Sequence, residues 1–305
     1  MKKILITGAN GLLGQKLVAL LAQQKDVALI ATAIGPPRFI VPTNVLYQSL
    51  DITSSHECIC LLKAHLPDAI IHAAAMTQVD ACETEKEQCD SINIKGVENL
   101  INAIGTRDIH LVHISTDFIY AGDQDEYFED SAVNPLSYYG ASKWKSEQLF
   151  ENVKSPYSIL RTVLVYGVVP DLSRSNIVLW AKNSLEKGAT INVVDDQYRC
   201  PTLAEDLALA CFNVIKRKAV GVFHVSGKEF LSILELVYKI ADFWGLDKSL
   251  VNPIKTRSLN QAATRPAQTK LNIDKAIRQF NYQPRSLQQG FDLVDNQLQN
   301  LKPIK

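Results

Sequence analysis

The sequence carries no surplus of charge. Its 305 residues include 32 lysine and arginine side chains and 32 aspartate and glutamate side chains, a formal net charge of zero. A balanced chain gives no support to a general nucleic-acid or membrane-binding surface. Long apolar runs are also absent: no stretch approaches the ~18 residues that mark a membrane-crossing helix. Met1, Lys2 and Lys3 followed by Ile4, Leu5 and Ile6 imitate the start of a signal peptide, but the glycines from Gly8 onward cut the apolar run far below h-region length. The cysteines Cys58, Cys60, Cys82, Cys89, Cys200 and Cys211 form no C-x-x-C pair and no zinc spacing. Cys58 and Cys60 therefore read as small apolar residues, and the pattern fits a reducing cytoplasm, the expected location. No metal site is expected, and Glu83, Glu85 and Glu87 read as a solvated acidic run. Repeats and low-complexity segments are missing. What remains is a chain long enough to bury a sizeable core as one large unit or two lobes.

Glycine is present where it carries the most information. Met1 to Thr7 reads as a short buried strand, and Gly8, Gly11 and Gly14 follow at three-residue spacing. Leu12, Leu13, Leu17, Leu20 and Leu21 then recur at helical period. A strand, a glycine turn and a helix form the entry to a dinucleotide site. Glycine permits the tight turn and close backbone approach to pyrophosphate, and the helix start supplies free N–H donors. Gly8, Asn10, Gly11, Leu12, Leu13 and Gly14 are the candidate cofactor-binding residues of this turn. The second strand ends Ile30-Ala-Thr-Ala-Ile-Gly35 without an acidic side chain to hold a ribose 2′-hydroxyl, and Arg38 follows. That pattern favours NADP(H), with Arg38 on the 2′-phosphate, and tolerates NAD(H).

Tyr139 and Lys143 stand four residues apart in Y-G-A-S-K, so phenol and ammonium share one helix face. A cation near a tyrosine favours the phenolate, and a Tyr-Lys pair beside a nicotinamide is a device for moving a proton while a hydride moves. The spacing G-x-x-G-x-x-G together with Y-x-x-x-K resembles the short-chain dehydrogenase/reductase superfamily, and the chain length resembles its extended, nucleotide-sugar branch. That superfamily places a serine or threonine at a strand end upstream of the tyrosine. Here His110 to Asp117 is such a strand; Thr116 is the candidate catalytic hydroxyl and Ser115 the alternative, with Asp117 beside them.

Further strings narrow the resemblance to the dTDP-4-dehydrorhamnose reductases. They are H-A-A-A-M-T-Q-V-D-A-C-E from His72, S-T-D-F-I-Y-A-G from Ser115 and N-P-L-S-Y-Y-G-A-S-K from Asn134. R-T-V-L-V-Y-G from Arg161, D-D-Q-Y-R-C-P-T from Asp195 and T-R-P-A-Q-T-K-L-N from Thr264 complete the set. Arg199 departs from the pattern, which usually has glycine there. The resemblance implies NAD(P)H-dependent reduction of the 4-keto group of a nucleotide-linked 6-deoxy sugar, with Thr116, Tyr139 and Lys143 catalytic. It implies Asp51 and Ile52 near the adenine, Ala73, Ala74 and Ala75 beside the cofactor ribose, and an Asn93 amide that anchors backbone near Lys143. Ser115, Asp117 and Arg199 are the candidate substrate residues, with Arg199 at the cleft mouth on the diphosphate. Two other readings stay open: an NAD-retaining nucleotide-sugar epimerase or dehydratase, and a regulatory subunit resembling that of methionine adenosyltransferase. No nucleic-acid or membrane partner is expected, and a homodimer is compatible with the sequence.

Strands read at about 3–7, 27–33, 68–73, 109–115 and 157–163, with helices between them, among them 86–104 and 137–152. This alternation predicts an α/β fold with a doubly wound parallel (Rossmann) sheet. A helix from Asn176 to Lys187 and a strand from Ile191 to Asp195 belong to a smaller, discontinuous substrate lobe. The expected division is 1–165 and 198–227 for the dinucleotide-binding domain, and 166–197 and 228–305 for the substrate lobe.

Overall fold

A computed structural model describes residues 1–170 and 175–301. Residues 171–174 and 302–305, inside the stretches assigned to the smaller lobe, lie outside the described residues. The chain builds a seven-stranded sheet from β1 (Lys2–Thr7), β2 (Val27–Ala33), β3 (Val45–Ser49), β4 (Ala69–His72), β5 (His110–Thr116), β6 (Tyr157–Thr162) and β7 (Gly221–His224). The order across the sheet is β7-β6-β5-β4-β1-β2-β3, and every pairing is parallel.

Parallel strands covered on both faces read as unbroken apolar runs. Successive side chains then alternate between two cores. Ile4 and Ile6 of β1 face helices α1 (Leu12–Leu21) and a long helix at Ala204–Arg217, through Leu17, Leu21, Leu207 and Val214. Leu5 faces the other way, onto α2 (Ser55–His65) and a helix at Gly96–Ile104, through Leu61, Leu62, Val97 and Leu100. Leu5 is fully buried, and truncating it to alanine would cost about 2–5 kcal/mol. Residues Ile273, Ala276, Phe280 and Tyr282 also pack into the first of these cores.

β3 is absent from the sequence reading because Val45-Leu-Tyr-Gln-Ser49 is a half-exposed edge strand without an apolar run. The helix expected over 86–104 is broken into Lys86–Asp90, a π-helical turn at Ser91–Lys95 and Gly96–Ile104.

A separate apolar core holds the smaller lobe. Val178 and Leu185 of the helix Ile177–Glu186 meet Leu236 and Ile240 of Ile233–Trp244, and Phe291 and Val294 of Leu287–Gln299. A two-stranded parallel pair, Ile191–Val194 with Val251–Ile254, flanks them. Between this lobe and the large sheet runs a short strand, Tyr198–Arg199, paired on one side with Leu231–Ser232 and on the other with Gln268–Thr269. The order of winding reverses at β1, which has β2 on one side and β4 on the other. The crevice at the carboxyl ends of β1 and β4 is the switch point where such sheets bind ligands.

Candidate active site

The glycine turn fills that crevice. Gly8 adopts φ +74°, and a Cβ there would lie 2.6 Å from the Ala74 backbone nitrogen. The turn therefore presses on the strand-four segment, where Ala73 donates its N–H to the Thr7 carbonyl at 3.2 Å. A Cβ on Gly14 would collide with the Gly8 carbonyl. Gly11 is the residue before α1 and offers no capping side chain, so the first N–H groups of the helix, including those of Leu12, Leu13 and Gly14, have no helical acceptor. These donors suit an anion.

Asn10 ties the next segment to the turn. Its Nδ2 donates to the Pro36 carbonyl at 2.9 Å and to the Tyr47 hydroxyl at 3.2 Å, while its Oδ1 accepts the Arg38 backbone N–H at 2.9 Å. Arg38 is thereby held beside the glycine turn. Its side chain is exposed and makes no ion pair among the described residues. Farther along, Asp51 Oδ1 accepts the Thr53 N–H and hydroxyl at 2.9 and 2.7 Å, while Ser54 caps α2. Ile52 packs its side chain inward against Gly96, which leaves only its backbone for a ligand.

The Tyr-Lys helix, α3 in the site's vicinity and spanning Tyr138–Gln148, starts at Ser137, whose Oγ accepts the Gly140 N–H at 3.1 Å. Gly140 has no room for a Cβ, because the Phe118 carbonyl occupies that space. This contact sets the helix against the end of β5. There Thr116 accepts the Phe118 N–H at 3.2 Å and donates to Asp117 Oδ1 at 3.1 Å. The Tyr139 ring packs edge-on against Phe118, centroids 5.7 Å apart, and its phenol is under the influence of the Thr116 hydroxyl. Tyr138 points elsewhere and donates to Asp90 Oδ2 at 2.8 Å. Lys143 is 2% exposed, with its Nζ 3.2 Å from His113 Nε2.

Burial governs the charges here. It lowers the Lys143 ammonium to about 8, against the opposing pull of Glu147. It raises the Tyr139 phenol above its usual range; Thr116 favours ionisation and Asp117 disfavours it. The expected lowering of the phenol by the lysine is therefore overturned, since desolvation dominates and the ammonium is turned toward His113.

Asn93, in the π-helical turn, is buried and clamps this region from behind. It accepts the Met76 N–H at 2.9 Å and donates to the Met76 carbonyl at 3.1 Å and to Ser142 Oγ at 3.0 Å. A π turn inside a helix often marks a functional site.

A protein family described as the RmlD substrate binding domain matches residues 1–300. The chain belongs to this family. A probable low-salt glycan biosynthesis reductase, Agl14 of Haloferax volcanii, is 30% identical over 88% of this chain and 89% of its own. A dTDP-4-dehydrorhamnose reductase of Aggregatibacter actinomycetemcomitans is 29% identical over 95% and 97%. The methionine adenosyltransferase 2 subunit beta of Xenopus tropicalis is 28% identical over 90% and 81%. Among solved structures, dTDP-4-dehydrorhamnose reductase of Bacillus anthracis in complex with NADP superposes with TM-score 0.84 at 29% identity, covering 97% of this chain and all (100%) of that one.

Within this RmlD-family chain, not every nominated residue reaches the crevice. Ser115 points into the protein, where it donates to Glu147 Oε1. Glu147 pairs with Arg161 at 2.7 Å, and Arg161 donates to the Tyr120 hydroxyl at 2.7 Å. Strand alternation puts neighbouring residues on opposite faces, so Ser115 and Thr116 cannot both serve the site. Arg199 is a second correction. It is 4% exposed, so its guanidinium is buried and not open at a cleft mouth. Its Nη1 donates to the Tyr198 carbonyl at 2.8 Å and the Ala267 carbonyl at 3.3 Å, and its Nη2 to the Pro266 carbonyl at 2.7 Å. Its Nε sits 3.5 Å from Asp117 Oδ2, which also accepts the Thr269 hydroxyl at 2.6 Å. Asp117 is likewise committed to the interior and has no free oxygen directed to a substrate; burial raises its carboxyl, with Arg199 opposing.

His113, His72 and Glu147 were missed. Their signal lay in two combined periods: His113 and Ser115 share a strand face, and Lys143, Ser146 and Glu147 share a helix face. Among the described residues no cluster of metal-ligating side chains occurs, and no helix is long and apolar enough to cross a membrane.

Proposed function

We propose that this chain is an NAD(P)H-dependent reductase of the 4-keto group of a nucleotide-linked 6-deoxy sugar, of the dTDP-4-dehydrorhamnose type. The carrying observation is a juxtaposition: Tyr139 lies beside Thr116 at the carboxyl end of β5, the buried Lys143 stands one helical turn along against His113, and the glycine turn has no room for side chains. The cradle fits a dinucleotide, with pyrophosphate on the N–H groups of residues 11–14 and Ala73–Ala75 close to the ribose. Arg38 suits a 2′-phosphate, which favours NADP(H) over NAD(H). The domain division 1–165 with 198–227, and 166–197 with 228–305, belongs to the same reading, save that Ile273, Ala276, Phe280 and Tyr282 pack on the large sheet; the sugar would lie between the lobes.

A bound reduced nicotinamide supplies the hydride for the sugar C4. Thr116 donates a hydrogen bond to the carbonyl oxygen once its hydroxyl turns from Asp117. Tyr139 delivers the proton to that oxygen as it becomes an alkoxide. Burial keeps Tyr139 protonated at neutral pH, the state an acid needs. Lys143, charged below about 8, holds the ribose hydroxyls and stabilises the phenolate left behind.

A second reading, a regulatory subunit that binds the cofactor without turnover, is favoured by the Xenopus tropicalis relative. The nicotinamide absorbance assay with a dTDP-linked 4-keto-6-deoxy sugar separates the two. Loss of absorbance in proportion to sugar supports the reductase. Binding of NADPH without oxidation supports the regulatory subunit.

A further inference from the structure

Behind Lys143 stands a side chain whose tautomer is tied to the charge of the lysine. His113 is fully buried on β5, clamped between the His72 ring, stacked with centroids 5.4 Å apart and planes 20° off parallel, and the Phe150 ring, also at 5.4 Å. His72 is itself fixed, with Nδ1 2.7 Å from Thr7 Oγ1. These contacts hold the plane of the His113 ring, and its Nε2 edge faces Lys143 Nζ at 3.2 Å and Ser146 Oγ at 3.1 Å.

Ser146 donates its one proton to the Lys143 carbonyl at 2.7 Å. Toward His113 it can only accept. Two arrangements follow. With Nε2 protonated, the ring donates to Ser146 and turns an N–H toward Lys143, which then has to be a neutral amine. With Nε2 bare, the ring accepts from the Lys143 ammonium, its proton sits on Nδ1, and the hydrogen bond to Ser146 is given up. Among the described residues Nδ1 has no partner, and an unsatisfied buried donor costs about 1–3 kcal/mol. A charged lysine offsets both that cost and the lost Ser146 bond, through a charge-assisted bond.

We infer that His113 is the positioning residue of Lys143: in its Nδ1–H tautomer it takes one of the three ammonium donors and aims the other two away from the sheet, toward the cofactor ribose and Tyr139. An ammonium is tetrahedral, so fixing one N–H restricts the rest to a narrow cone. The inference rests on the proposed placement of NADP(H), and His113 touches neither cofactor nor sugar.

Two measurements test it without requiring turnover. In protein with ¹⁵N-labelled imidazoles and bound NADP⁺ at neutral pH, the His113 proton is expected on Nδ1; a proton on Nε2, or on both nitrogens, overturns the inference. His113→Phe keeps the stacked shape and removes the acceptor, so the NADPH dissociation constant should rise about tenfold, as one charge-assisted hydrogen bond predicts. His113→Gln places an acceptor near the Nε2 position and should return the constant to within about threefold of the parent. Equal weakening in both variants, or none in His113→Phe, contradicts a positioning role. If NADPH binds but no keto sugar is reduced, the reductase assignment fails while the comparison of Phe with Gln still decides the role of His113.

Discussion

Two regions at the carboxyl end of the sheet hold polar side chains of similar kinds in opposite conditions. Around the glycine turn and Tyr139, the groups are unfinished: the Arg38 guanidinium is exposed and the first N–H groups of α1 lack helical acceptors. Beneath the cleft, the groups are closed. Ser115, Glu147, Arg161 and Tyr120 satisfy one another, as do Asp117, Arg199 and Thr269 with the carbonyls of 198, 266 and 267. The difference teaches that charge and motif position nominate a residue, while its remaining hydrogen-bonding capacity decides its work. Open groups should fail in function, and closed groups in stability.

Tyr139→Phe gives the largest expected effect. It removes the proposed acid from the open region and should lower turnover about 10²–10⁴-fold with little change in melting temperature or NADPH affinity. Tyr138→Phe, which loses only the bond to Asp90, should fall far short of that in the same steady-state assay. Equal losses would dissolve the distinction between the two tyrosines.

Arg199→Ala probes the closed region. Leaving buried Asp117 without its counter-charge should cost about 3–5 kcal/mol in a denaturant titration. A selective rise in KM for the nucleotide sugar at unchanged stability would return Arg199 to the diphosphate. Arg38→Ala is the mirror experiment. It should weaken NADPH by about 1.5–3 kcal/mol, leave NADH nearly untouched and leave stability unchanged. An unaltered NADPH/NADH ratio in paired fluorescence titrations would remove Arg38 from the open set.

The smallest effect is a pH dependence. Burial brings Lys143 down to about 8, with Glu147 opposing. A ligand that bonds the ammonium raises that value in the complex, so its contribution is complete below about 8 and is lost as pH rises from there to the higher value of the complex. NADPH affinity should fall about tenfold between pH 7 and pH 10. A flat profile would mean that the ammonium makes no contact with the cofactor.

The same contrast explains what was legible in the sequence. Strands β1, β2, β4, β5 and β6 announce themselves as apolar runs because both faces are covered, and the glycine turn does so because backbone needs that space. β3 was hidden by its polar edge position. Thr116 could be read as the strand-end hydroxyl, but its separation from Ser115 depended on which face met Glu147. Arg199 could be nominated from its motif, yet only the fold shows three backbone carbonyls waiting for its guanidinium. His113 was harder to read, because its contacts Ser146 and Lys143 lie some thirty residues away on another element and only the strand and helix periods taken together link them.

Deuterium transfer tests the central assignment most directly. NADPH deuterated at the transferable C4 position is supplied with a dTDP-linked 4-keto-6-deoxy sugar, and the product is analysed by mass spectrometry and NMR. A reductase leaves one deuterium on the sugar C4 for each NADPH oxidised, and Tyr139→Phe suppresses both. Sugar converted without net NADPH oxidation, or NADPH bound with no sugar converted at all, would contradict the assignment.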